Sequence, residues 1–133
     1  MRSKTLWFGI IWTLFIVLAC LIEGESVPKV SLFPFEHKDK VAHFFFYFVF
    51  TIVWFWHNIV KDSGKSLWIV SLKTFLIASL IGCSVEIAQY YLTTSRSAEW
   101  LDVLANTLGS ICGLIASVTY LKILKIKRAS SSL

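Results

Sequence analysis

At 133 residues and 15.2 kDa, the chain is the size of one compact unit. Its residues are 56% hydrophobic and only 16% charged, against about 25% charged in a water-soluble chain, which excludes an ordinary solvated surface. A formal charge of +5 with a pI near 9.2 would suit nucleic acid only on a solvated basic face, but the Lys and Arg residues stand at the ends of apolar segments, so no nucleic-acid partner is expected.

Leu6 to Ile22 is an uncharged run behind Arg2 and Lys4, about the minimum length for crossing hydrocarbon. A cleaved secretory segment, with Val17 to Cys20 as a lipid-attachment box, is the competing reading. It is disfavoured because the run continues through Leu21 and Ile22, and because Leu18 is bulky where a small residue is wanted. Residues 23–40 form the longest polar connection. Pro28 and Pro34 disfavour helix there, and Val30 to Phe35 is a patch expected at the lipid headgroups or as a lid.

The second span is expected at 41–60, rich in Phe and ending in Trp54, Trp56 and His57, residues suited to an interface. A turn containing Gly64 leads to the third span, 67–92, where Lys73 is expected to reach back to the near interface. A second turn leads to the fourth span, 100–121, and a basic, then Ser-rich tail. Cys20, Cys83 and Cys112 all fall inside apolar segments and fit no zinc spacing, so each is expected to be a small buried hydrophobe.

The expectation is therefore an all-α, integral membrane four-helix bundle forming one domain over 1–133. An even number of spans puts both termini on one side. Eight basic residues lie there (Arg2, Lys4, Lys61, Lys65, Lys122, Lys125, Lys127, Arg128) and four lie opposite (Lys29, Lys38, Lys40, Arg96). The positive-inside rule then makes both termini cytoplasmic. Asp62 is the one acid on the inner side; the other seven belong to the outer half.

Carboxylates are costly in a membrane span unless they have a partner or a task. His43 shares a face with Asp39 and Tyr47 at the start of the second span, and Glu86 shares one with Gln89 at the end of the third. Asp102 and Asn106 share a face at the start of the fourth. By residue rise, His43, Glu86, Asp102 and Asn106 all lie within about 10 Å of the outer boundary, with Arg96 above them on the turn. Gly109 and Gly113 continue the face of Asn106, and Ala78 and Gly82 continue that of Glu86. These small residues predict close packing of the third span on the fourth, setting Glu86 against Asn106.

These same residues resemble the motifs of the VanZ-like family. Asp39-Lys40-Val41-Ala42-His43 is similar to its DKxxH motif. Glu86-x-x-Gln89 and Arg96-x-x-Glu99-x-x-Asp102-x-x-x-Asn106, running on to Gly109 and Gly113, are similar to its second and third motifs, with Glu99 where the family usually has Asp. The resemblance implies a four-span protein of the bacterial cytoplasmic (inner) membrane, in a family associated with teicoplanin resistance and the cell envelope.

Three readings of the polar layer follow. The leading one is an outward-facing cavity that binds a lipid-linked cell-wall intermediate or a lipophilic glycopeptide, with membrane lipids as its other partners. Asp39, Lys40, Gln89, Arg96, Glu99 and Asn106 would then contact the ligand. A membrane enzyme acting on a lipid phosphate would use His43 and Glu86 as general acid and base, Asp102 to orient His43, and Lys40 and Arg96 to hold the anionic head. No nucleophile elbow, zinc-protease signature or phosphate loop supports that chemistry. The third reading is a structural cluster that keeps the helix ends in register. His43, Glu86 and Asp102 are metal-capable residue types, but nothing in their spacing assigns a metal, and no cofactor is identified.

Overall fold

A computed structural model of the chain describes residues 2–22, 38–62, 64–93 and 99–130. Among these it contains four helices: α1 (Arg2–Leu21), α2 (Lys38–Lys61), α3 (Leu67–Leu92) and α4 (Trp100–Ser130). All four are long and apolar enough to cross a membrane. The proline-containing connection and Arg96 lie outside the described residues.

The helix ends follow local chemistry. Ser66 caps α3 in an extended conformation, its hydroxyl accepting from the Ile69 N–H at 3.3 Å. At the other end the Thr93 N–H and hydroxyl both donate to the Gln89 carbonyl. Asp39 and Asp102 stand in the first turns of α2 and α4, and Lys61, Lys127 and Arg128 in last turns, as the helix dipole favours. The fourth helix outruns the expected end near Leu121. Apolar residues thin out there, but nothing from Lys122 to Ser130 is Pro or Gly, and Lys, Leu, Arg and Ala are good helix formers.

Contacts make the bundle run up, down, up, down. The start of α2 meets the end of α3 and the start of α4, through His43, Glu86 and Asn106. The end of α3 meets the end of α1, where the Gln89 amide donates to the Cys20 carbonyl at 2.9 Å. The α2–α4 interface is the most extensive. α1 packs on α2 and α3, and its described residues do not touch α4. Ile16, Cys20, Tyr47, Phe50, Ala78 and Val85 form the buried core. Polar side chains of α1 add further ties to α2: Trp12 Nε1 donates to the Phe46 carbonyl at 3.1 Å, Thr13 Oγ1 accepts from Trp54 Nε1 at 3.2 Å, and Thr5 Oγ1 lies 3.5 Å from His57 Nδ1.

Two expectations are corrected here. Gly109 and Gly113 pack on α2, not on α3: a Cβ at Gly109 would lie 2.2 Å from the Phe44 carbonyl oxygen, and one at Gly113 would lie 2.7 Å from that of Phe48. Small residues permit close approach but do not choose the partner. Gly82 does face α4, with the Asn106 amide and the Tyr47 ring at ordinary contact distance. The thiols differ as well. Cys20 is buried, while Cys83 and Cys112 lie on exposed faces; all three are free.

At the end carrying the termini, Gly64 turns the chain with φ +107°, a conformation that L side chains rarely adopt. Lys73 reaches back as expected and meets Asp62 at 2.8 Å, with Lys65 3.3 Å from the same carboxylate. The Lys73 hydrogen bond, followed by the Lys65 bond, holds the Asp62 carboxyl below its ordinary value of 3.8. A depressed carboxylate stabilises the fold above its unfolded value and loses that contribution as pH falls through its folded value. The protein should therefore melt higher than Asp62→Asn at pH 6, the gap closing as pH is lowered through and below about 3.8. Thermal scans of both proteins across pH 2.5–6 measure this, and a gap that stays constant with pH contradicts it.

Candidate functional site

Three helix ends build the site. His43 is one turn into α2 and 1% exposed, Glu86 is in the last two turns of α3 at 4%, and Asp102 and Asn106 are in the first two turns of α4 at 2% and 4%. The His43 Nδ1 lies 3.1 Å from Asn106 Oδ1 and 3.5 Å from Glu86 Oε1. Both neighbours are acceptors, so Nδ1 carries a proton and donates to Asn106, with Nε2 on the far side of the ring. That Nε2 points toward Asp39, whose Oδ1 is 3.9 Å away.

A second group stands beside the first. Lys40 Nζ donates to Glu99 Oε2 at 2.5 Å and lies 3.1 Å from Asp102 Oδ1. The contact with Asp102 is an ion pair without hydrogen-bond alignment, since Asp102 Oδ1 has no hydrogen-bond partner among the described residues. Asp102 thus sits beside Lys40, and the group that orients His43 is Asn106, not the Asp102 expected. Lys40, expected to hold an anionic head, is already shared between two carboxylates. Gln89 also differs from its expected ligand-contacting role, because its amide nitrogen ties α3 to α1 through Cys20.

The described residues bring together Asp39, Lys40, His43, Glu86, Glu99, Asp102 and Asn106. Sequence reasoning placed Tyr47 on the face of His43 but gave it no role in the site. Its ring is fully buried against the face of Gly82, and its hydroxyl has no hydrogen-bond partner there. Its place four residues after His43, on the same face, was the available signal. Beside the site, α3 and α4 enclose a void of about 20 Å³ lined by Gly82, Asn106 and Ser110 among others, large enough for about one water. Asn106 Nδ2, buried and without a hydrogen-bond partner, lines that space.

The sequence profile of the VanZ/LLP1 family matches residues 5–122, a stretch that takes in every residue of this site. The chain belongs to the VanZ/LLP1 family. It is also 32% identical over 110 residues to a protein of Schizosaccharomyces pombe that is itself described only as uncharacterized. The alignment takes in 82% of this chain and 63% of that relative's length. No solved structure matches the chain.

Family membership and four spanning-length helices together describe a multi-pass membrane protein. In this VanZ/LLP1 protein a close helix approach adjoins the polar end. The glycine that brings α4 onto α2 lies three residues beyond Asn106, within one turn of the His43–Asn106 bond.

Proposed function

We propose that this VanZ/LLP1 protein binds, at the membrane surface away from its termini, the polar head of a lipid-linked component of the cell envelope. The observation that carries the reading is the state of the buried polar atoms. A cluster whose only task is helix register would satisfy its own hydrogen bonds, since each unpaired buried group costs about 1–3 kcal/mol. Here His43 Nε2, both Glu86 oxygens, Asp102 Oδ1, Asn106 Nδ2 and the Tyr47 hydroxyl have no hydrogen-bond partner among the described residues. They converge at one depth on three helices, where a ligand head can satisfy them while its tail stays in lipid.

The excess of basic residues at the termini's end supports a cytoplasmic N- and C-terminus in a bacterial inner membrane. The site then faces outward, where lipid-linked wall precursors and membrane-anchored glycopeptides such as teicoplanin present their heads. Catalysis is the second reading, and the 3.5 Å separation of His43 from Glu86 favours it: an acid–base pair within reach of one bound head.

The test uses the full chain in nanodiscs with a labelled lipid-linked cell-wall precursor, whose sugar hydroxyls and amides can donate to the Glu86 carboxylate. The expected result is saturable retention by the wild type, weakened roughly tenfold or more in Glu86→Gln, the loss expected for one charge-assisted hydrogen bond. The thermal midpoint of the variant should stay close to the wild type's. Release of inorganic phosphate or a modified lipid would promote the catalytic reading. A wild type that retains no more lipid than Glu86→Gln would sink both.

A further inference from the structure

Four carboxylates (Asp39, Glu86, Glu99 and Asp102) gather near Lys40, which Glu99 and Asp102 share. Buried carboxylates at the edge of a bilayer are found paired or coordinating a metal ion.

We propose that Asp39, His43 and Asp102 hold a divalent metal ion. One ligand atom from each residue lies within 4.8 Å of the other two. Ligands about 2.1 Å from a common ion are roughly 3–4 Å apart, so modest side-chain rotations close the set. His43 carries the argument beyond an acidic cluster. It is 1% exposed, its Nε2 has no hydrogen-bond partner, and that atom faces Asp39. Its other nitrogen is occupied by Asn106, with Glu86 beside it. A metal-ligating imidazole is ordinarily arranged this way: one ring N–H given to a carbonyl or carboxylate, the other nitrogen aimed at the ion. Two carboxylates and one imidazole suit manganese, iron(II), cobalt or zinc, the softer thiolate-seeking ions less so.

Lys40 competes for Asp102, though on unequal terms. Its hydrogen bond goes to Glu99, and Asp102 Oδ1 receives only an unaligned ion pair. On loading, the ammonium keeps Glu99 and yields Asp102 to the ion. The proposal deepens the lipid-binding reading and rests on it for the ligand class alone: the bound cation gives an acidic layer a positive face for a phosphate.

Cobalt(II) titrated into the purified full chain, in nanodiscs of zwitterionic lipid, tests the site without any added phosphate lipid. The expected result is a visible absorption band saturating at one ion per chain, lost in His43→Ala and weakened at least tenfold in Asp39→Asn, with folding checked by circular dichroism and gel filtration. Asp62→Asn, at the other end of the bundle, should bind as the wild type does. Lys40→Met should bind cobalt more tightly and regain thermal stability on adding it. Cobalt bound equally by His43→Ala and the wild type, or no saturable band in the folded wild type, overturns the metal site. That failure leaves lipid retention standing, whereas a loaded site that retains no phosphate lipid sinks the lipid reading alone.

Discussion

Gly109→Ala lowers the thermal midpoint of the protein sharply, while Gly82→Ala leaves it nearly unmoved. The added Cβ at Gly109 would stand 2.2 Å from the Phe44 carbonyl oxygen and 3.1 Å from the Phe48 nitrogen. Those are backbone atoms of α2, with no rotamer to change, so the helices themselves must separate. Overpacking of this kind typically costs 1–3 kcal/mol, and a rigid neighbour puts the expected loss near the upper end, about 3 kcal/mol. Separation would also stretch the His43–Asn106 hydrogen bond, 3.1 Å long and less than a turn away. Gly113→Ala, 2.7 Å from the Phe48 oxygen, should follow with a similar but smaller loss. Around Gly82 the nearest atoms are side chains at 3.4–3.5 Å, an ordinary contact. The change there is expected to cost less than about 1 kcal/mol, offset in part by alanine's better helix propensity. Thermal unfolding in a mild detergent, followed by circular dichroism, measures all three. Equal midpoints for Gly109→Ala and Gly82→Ala would show that α4 does not rest on the α2 backbone.

Lys40→Met should be nearly as damaging, for an electrostatic reason. The Asp102 side chain is 3% exposed, and Lys40 is the cation beside it. Removing one partner of a buried pair leaves an uncompensated charge and typically costs 3–5 kcal/mol. The Lys40 side chain keeps 20% of its exposure, so about 3 kcal/mol is expected. Glu99 contributes less, because its side chain is 46% exposed and water screens it. The double variant Lys40→Met/Asp102→Asn should therefore recover most of the lost stability, and Lys40→Met/Glu99→Gln little of it. The cycle is read by denaturation at one pH and salt concentration, without added metal. If the Asp102→Asn double variant melts no higher than Lys40→Met, the buried charge of Asp102 is not what Lys40 balances.

The depth of the site was legible from residue numbers. Position along a helix follows from counting residues at a fixed rise, so His43, Glu86, Asp102 and Asn106 fell at one level before any packing was known, and the structure joins them within 3.1–3.5 Å or by shared neighbours. Which faces meet is a different quantity, set by packing. Gly109 and Gly113 announced a close approach, but the partner was chosen by the backbone of Phe44 and Phe48 on α2, and nothing in the glycine spacing encodes that. Gln89 shows the same limit. Its depth was right, yet its amide turns to the Cys20 carbonyl of α1, a residue far away in sequence. Lys40 was legible as a cation in the layer, while its commitment to Glu99 and Asp102 depended on where the fourth helix begins.

The His43–Asn106 bond joins residues 63 positions apart, and that separation is also an interval of time. At roughly 5–20 residues per second of synthesis, α2 is made roughly 3–13 seconds before Asn106 exists. During those seconds the helix that carries Asp39, Lys40 and His43 has neither Asn106 nor Asp102 to meet. The earlier helix, α1, offers it the Trp12–Phe46 tie and no carboxylate or amide of the site. Entry of α2 into lipid is thus provisional until the fourth helix arrives, and the first half of the chain depends on the insertion machinery to hold it until the last span is made.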